Sequence, residues 1–277
     1  MFLLYLSCLK MSLSPLKTSN FTLLILLFFQ VFRLTAQEKD ILIGGEQLKY
    51  RIHLGFINAA EANIRSSSNL GSIRQIPTRK IEIEGKTLGI FNVFSPLLDV
   101  WVSHIDPSTL LPVKAEMNKR EGRYRKQEVV DFYHDKGIAQ ISSPQNSPKD
   151  KNLAISNSML DLISGYYFLR KKNLQDLEIG QKMSAKILVD GQVYEIWCVV
   201  KGFEKVESKF GTKNCIRTSL VLPKNNLFQD KDAIRLWISQ DNYQIPFKME
   251  VNLKIGFLSI DLEDYKIAGK TIYTALP

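Results

Sequence analysis

Cysteine and histidine are scarce in this 277-residue chain, at three apiece. No Cys-x-x-Cys motif occurs, so dithiol redox chemistry has no support. The histidines His53, His104 and His134 stand singly within or beside alternating apolar runs, as surface or half-buried strand residues do. Neither His-x-His nor His-Glu-x-x-His spacing is present to hold a metal. Gly-x-Ser-x-Gly is absent, and so is a phosphate-cradling glycine loop, since Gly44-Gly45-Glu46 reads as a strand entry. Asp261, Glu263 and Asp264, and Asp230 and Asp232 about Lys231, are acid groupings to weigh as a glycosidase pair. Residues two apart on a strand share a face, and such acids usually make up its solvated side. The sequence therefore carries no catalytic constellation, no metal-ligand set and no cofactor motif, and it does not read as an enzyme.

Long apolar runs are also few. One spans residues 21–32 (FTLLILLFFQVF), with Lys17 before it and Ala36-Gln37 after it. A basic flank, an apolar core of about a dozen residues and a small exit residue form a secretory signal peptide, with cleavage expected between Ala36 and Gln37. The run is shorter than the roughly 20 residues of a permanent membrane helix, so no span is expected after cleavage. An earlier apolar segment, residues 1–10, suggests that translation starts at Met11. Cys8 lies too near the start, without a basic segment ahead of it, to be a lipidation site. The expected location is the periplasm or the periplasmic face of the outer membrane.

Residues 1–36 contain Lys10, Lys17 and Arg33 and no acid, so the processed chain keeps 34 of 37 basic residues against 28 acidic ones, a net charge of +6. Export and the interspersion of acids argue against nucleic acid. Anionic lipid headgroups or lipopolysaccharide phosphates fit better, and a simply solvated basic surface fits as well. Cys198 and Cys215 remain after processing, each in a strand-like run. They could bridge if their strands are neighbours and their Cα atoms lie within about 7 Å; otherwise they are two buried thiols.

Most of the processed chain alternates in period two, as antiparallel strands with one wet face do. The pattern runs through residues 47–54, 80–84, 127–133, 183–189, 192–200, 214–222, 233–239, 247–255 and 257–265. Turn residues separate the runs, among them Gly55, Asp106-Pro107, Gly122, Asp190-Gly191 and Gly256. Residues 143–150 (SPQNSPKD) read as a loop. The main helix is expected over about 157–171, capped by Asn157 or Ser158, with Arg170, Lys171 and Lys172 at its negative end. Gly165 in its middle suits a close approach to a sheet.

A pattern recurs in two halves, about 45–140 and 180–267. Trp101-Val102-Ser103, Asp106 and Leu111-Pro112-Val113-Lys114-Ala115-Glu116 match Trp237-Ile238-Ser239, Asp241 and Ile245-Pro246-Phe247-Lys248-Met249-Glu250. This suggests a duplicated β-meander, with the helix between the copies. The fold class expected is mainly β: a strongly curved antiparallel sheet, two facing sheets or an open barrel, in one domain over residues 37–277.

Several segments in order carry a family resemblance: Gly45–Tyr50, Ala59–Ala62, Trp101–Asp106 with Leu111-Pro112, the helix with Asp161, Ser164–Tyr167 and Leu169-Arg170, Phe210–Cys215, and Leu236–Asp241 with Ile245-Pro246. Together they resemble the exported bacterial family filed as domain of unknown function 3108, over nearly all of the processed chain. The Ala36-Gln37 context is similar to that of secreted proteins of the Bacteroidetes. The resemblance implies a periplasmic β-rich domain without an established activity. At the level of fold alone, the strand–Asp turn–Pro strand unit is also similar to periplasmic lipoprotein carriers, whose curved sheets hold acyl chains against a helix.

The apolar segment 88–98 is too irregular for a strand and could cross the mouth of a hydrophobic cavity or simply fill core. Phe91, Phe94, Leu97, Leu98, Trp101, Tyr166 and Trp237 are the candidate ligand-binding residues. Trp101 and Trp237 read equally as core anchors. The expected function is binding a lipidic or other apolar envelope molecule. The alternatives are a structural module docking on an envelope protein partner and, third, an unrecognised envelope hydrolase.

Overall fold

The computed structural model describes residues 41–143, 151–222, 232–254 and 256–275. The expected signal peptide and cleavage site, the loop 143–150 beyond Ser143, and Asp230 and Lys231 lie outside them. One continuous antiparallel sheet makes up the fold. Its strands are β1 (Glu46–Leu54), β2 (Ile57–Ser66), β3 (Gly71–Ile73), β4 (Ile76–Thr87), β5 (Leu98–Ile105), β6 (Pro112–Glu121), β7 (Tyr124–Tyr133) and β8 (Ile138–Ser142). They continue with β9 (Lys151–Ala154), β10 (Lys182–Val189), β11 (Gln192–Val206), β12 (Lys213–Val221), β13 (Ile234–Ser239), β14 (Pro246–Leu253), β15 (Gly256–Ile267) and β16 (Lys270–Thr271).

The path across the sheet is β10-β11-β12-β13-β14-β15-β1-β2-β4-β5-β6-β7-β8-β9, with β3 on β4 and β16 on β15. β1 joins the two halves by pairing β15 on one side and β2 on the other. The end strands β9 and β10 do not pair with each other, so the sheet is an open, curved barrel. Part of the gap is bridged by Leu160, whose N–H donates to Lys186 O at 3.0 Å and whose carbonyl accepts from Leu188 N at 2.8 Å.

Among the described residues, two α-helices accompany the sheet, α1 (Gly89–Phe94) and α2 (Leu162–Lys171). α2 lies between the halves as expected, but it starts later than the apolar spacing suggests. Asp161 is its N-cap, accepting from Ser164 N at 2.6 Å while Asp161 N donates to Ser164 Oγ at 2.9 Å. This reciprocal box fixes the start, and the pairing of Leu160 with β10 holds residue 160 extended, so Asn157 and Ser158 cap nothing. A Cβ on Gly165 would come within 2.8 Å of Ile187 Cδ1, so the helix sits directly on β10 there. Segment 88–98, expected to be irregular, forms α1 and the start of β5.

The core divides into buried clusters that follow the strand faces. Tyr167 and Ile163 of α2 pack with Ile41, Leu42, Ile81, Ile105 and Leu110. Phe247, Tyr265, Leu48, Tyr50, Phe210 and Trp237 form a second, aromatic cluster. The turn aspartates of the recurring pattern organise both corner turns. Asp106 accepts from Ser108 N and Oγ, and Asp241 from Ser239 Oγ, Tyr243 N and Gln244 N. The ladders set Lys114 opposite His104 but Lys248 opposite Trp237, while Trp101 faces Met117. The Pro–Lys strands thus keep one step relative to their turns, and the two tryptophans fall three positions apart.

Candidate functional site: a buried ion-pair clasp and an apolar end

The largest concentration of buried polar chemistry surrounds Glu46, the first residue of β1, which is 1% exposed. Arg170, on the last turn of α2, grips its carboxylate with both terminal nitrogens, Nη1 to Oε2 at 2.9 Å and Nη2 to Oε1 at 2.8 Å. Tyr167 Oη donates to Oε2 at 2.9 Å and Tyr265 Oη to Oε1 at 2.8 Å. Four donors satisfy the carboxylate. Arg170 also donates to Tyr243 O from Nε at 3.2 Å and from Nη2 at 3.0 Å. Gln244, its amide nitrogen turned toward the helix, donates to Arg170 O and Lys172 O at 2.9 Å each. This clasp ties β1, β15, α2 and the β13–β14 turn together.

Burial pushes the phenol pKa values of Tyr50, Tyr167 and Tyr265 well up, and the Glu46 carboxylate raises them further. Tyr166 rises to about 12 for the same reason. Burial alone would lower the Arg170 pKa, but Tyr166 and the Glu46 carboxylate beside it hold it well above its ordinary value. The pH consequence has one sign. A phenol whose folded pKa is raised contributes stability below its unfolded pKa of about 10 and loses it as pH rises. Phenolate absorbance in an alkaline titration should therefore lag for these tyrosines and then rise together with unfolding. Ordinary titration of all tyrosines near pH 10, without unfolding, would contradict the buried arrangement. One guanidinium and two phenolic donors about a carboxylate do not make a nucleophile–base pair, and Glu46, Tyr167, Arg170 and Tyr265 are all buried.

Other acids and the histidines sit mostly in surface pairs. Glu61 on β2 is flanked by Lys49 at 3.2 Å, Lys86 at 3.1 Å and Arg51 at 3.8 Å. Lys86 and Lys49 hold its carboxyl below the usual range against the opposing effect of burial. His53 lies 3.6 Å from Asp261, which also accepts from Ser259 Oγ at 2.9 Å. Glu263 pairs with Lys209, and Asp264 with Lys266. His104 lies 3.6 Å from Glu116. His134 Nε2 is bonded to Pro112 O at 2.9 Å. Such charged ladders would be costly against hydrocarbon, so this barrel does not present a lipid-facing belt. Among the described residues, no helix is long and apolar enough to cross a membrane.

The seven candidate ligand-binding residues do not converge. Trp101 and Tyr166 pack against the α2 cluster, whereas Trp237 belongs to the aromatic cluster and donates from Nε1 to Glu204 at 2.8 Å. Beneath α2 the cavity measures only about 30 Å³, bounded by Trp101, Met117, Val130, Ile163, Leu188 and Asp161. A space of that size holds about one water, not an acyl chain. A cleft of about 470 Å³ beside β10 is lined by Leu111, Leu160 and Phe168 together with Ser156, Ser184, Lys186 and Glu195. Of the two alternatives for Cys198 and Cys215, the structure shows two unbridged thiols, both buried. Cys198 faces Leu220 across the β11–β12 ladder and Cys215 faces Glu204, about 17 Å along the strand at ~3.4 Å per residue. Burial pushes their pKa values up to about 11 and about 12.

Phe91, Phe94, Leu97 and Leu98 instead sit at one end of the barrel. Phe94 is 81% exposed and Leu98 is exposed, whereas Phe91 and Leu97 are half-buried. Three neighbouring connections meet there: the β1–β2 turn, the α1 connection and the β6–β7 turn. Leu88 N donates to Ala59 O at 2.9 Å and Gly122 N to Pro96 O at 2.7 Å, joining them side by side. The β14–β15 turn adjoins through Leu54, which lies opposite Leu258. Nine of the sixteen exposed large apolar side chains among the described residues crowd this end: Leu54, Phe56, Ile57, Ile90, Val93, Phe94, Leu98, Tyr124 and Phe257. Phe56 is fully exposed at the tip of its turn. The sequence marked only the 88–98 part of this surface, because the other members are single residues at separate hairpins.

An open antiparallel sheet clasped by one helix is a β-barrel-like architecture. A β-barrel-like protein of domain of unknown function DUF1849 from Brucella abortus shares it. The TM-score is 0.53 at 8% identity, over 82% of this chain and 99% of that one. The chain belongs to the family described as protein of unknown function DUF3108, whose model matches residues 49–263. A protein described as exported, with a YmcC-like fold, from Bacteroides fragilis aligns at 10% identity over 80% of this chain and 96% of its own, with a TM-score of 0.33. No curated protein matches the chain.

Proposed function

We propose that this is an exported envelope protein that works by docking, with the apolar end of its barrel as the contact surface. The observation that carries the reading is the run of exposed Phe56, Ile57, Ile90, Val93, Phe94 and Leu98 across adjacent turns. Contiguous apolar surface of this kind is rare on a free monomer and usually marks an interaction site. Export is supported by the apolar run at residues 21–32 and the Ala36-Gln37 exit. A ligand held beneath α2 is disfavoured, because the space there holds about one water.

The test is fractionation of the host expressing wild type or Phe56→Asp/Phe94→Asp protein. Wild type should remain with the envelope membranes, and the variant should leave with the soluble periplasm while keeping its thermal stability. Equal partition of two equally stable proteins would sink the proposal.

A further inference from the structure

We infer that the apolar end docks on the surface of a lipid bilayer carrying anionic headgroups; this rests on the docking reading above and names its partner. Two features of the same turns point there. The apolar side chains project from separate hairpin tips: Phe56 from β1–β2, Val93 and Phe94 from the α1 connection, Tyr124 from β6–β7 and Phe257 from the start of β15. A protein partner would need a separate socket for each tip, whereas a fluid leaflet accepts them at any spacing.

The second feature is charge. Exposed Arg120, Arg123 and Arg125 surround the β6–β7 tip, and exposed Lys254 sits on the β14–β15 turn. The acids nearby are fewer or engaged. Glu121 is exposed, but Asp99 accepts from Arg120 N at 3.0 Å, and Asp190 is held by Lys126 at 2.9 Å and Lys119 at 3.6 Å. Apolar wedges ringed by arginine and lysine are the side-chain chemistry of interfacial binding: aromatic and aliphatic groups enter the acyl boundary while cations meet phosphates. The charged outer faces of β1, β2 and β4 stop the protein from sinking further. The strands then stand on the membrane with the clasp at the far end.

The experiment is flotation of the exported protein, purified as the host processes it, with vesicles of phosphatidylethanolamine and phosphatidylglycerol or of phosphatidylcholine alone. The protein should rise with the anionic vesicles, and at least about tenfold more weakly with the neutral ones. At about fivefold per basic residue near a charged surface, Arg120→Gln/Arg123→Gln/Arg125→Gln should lose on the order of 100-fold in anionic-vesicle affinity. Phe56→Ser/Phe94→Ser should abolish flotation, and Lys136→Gln, at the opposite end, should leave it unchanged. The inference is overturned if wild type stays at the bottom of the gradient, or if the rim variants float as wild type does. If wild type ignores vesicles yet rim substitutions still release it from the host envelope, the partner is a protein and only the docking reading survives. If neither experiment responds to the rim, both readings fall.

Discussion

Replacing Arg170 by Met is expected to destabilise the protein by about 3–5 kcal/mol, because it strands the Glu46 carboxylate in the core without a counter-charge. For a domain of this size that is a fall in Tm on the order of 10 °C. Glu46→Leu should cost a similar amount, since it leaves the guanidinium buried against Tyr166, Tyr167 and Tyr243 O. The double replacement Glu46→Leu/Arg170→Met should be less damaging than the sum of the two singles, for an apolar pair avoids the desolvation that the ion pair must overcome. Urea denaturation of the four proteins provides the measurement. Additive losses, or a single loss below about 1 kcal/mol, would mean that the two groups do not act as a buried pair.

The second large effect is expected at Phe247, which is 1% exposed on β14. Its ring lies 4.9 Å from that of Tyr273 and 6.0 Å, edge-on, from that of Phe210. Tyr273 in turn lies 5.6 Å from Tyr265 and donates to Asp241, so this ring holds the chain's last turn against the clasp. Phe247→Ala should cost about 3–5 kcal/mol through lost burial and the cavity left behind. Phe247→Leu keeps most of the volume and should cost under about 1.5 kcal/mol. The same denaturation series checks both. A loss for Phe247→Ala no larger than for Phe247→Leu would show that the aromatic cluster collapses around the gap.

The strands were largely legible because period two is a local signal. Gln47–Leu54, Met183–Val189 and Ala233–Ser239 alternate over their own length, and they fall within a residue or so of β1, β10 and β13. β2 was missed as a strand because Asn58-Ala59-Ala60-Glu61-Ala62 offers only small apolar residues, and its pairing with β1 and β4 decides its state. The helix start was misplaced because its apolar spacing extends upstream, while the true boundary depends on a distant strand pairing with Leu160.

The clasp was illegible for a related reason. Glu46 and Arg170 lie 124 residues apart. Arg170 at a helix C-terminus reads as a solvated partner of the dipole, and nothing nearby in the sequence reveals that β1 passes beneath it. The family resemblance nonetheless rests on segments that contain Glu46, Tyr167 and Arg170, which the fold brings to one place. The apolar end was half legible: residues 88–98 stood out as a run, but Phe56 and Phe257 join it only once the hairpins are aligned.

The central claim, that the protein meets a membrane with this end, is most directly tested by a polarity-sensitive dye on Phe94→Cys and, as control, on Lys136→Cys at the opposite end. Cys198 and Cys215 are buried thiols with raised pKa values, so the introduced cysteine is the one that labels at neutral pH. On addition of anionic vesicles the residue-94 dye should shift to the blue and be quenched by brominated acyl chains, while the residue-136 dye should not change. A residue-94 dye that stays water-exposed, or an equal response at both ends, would contradict the account.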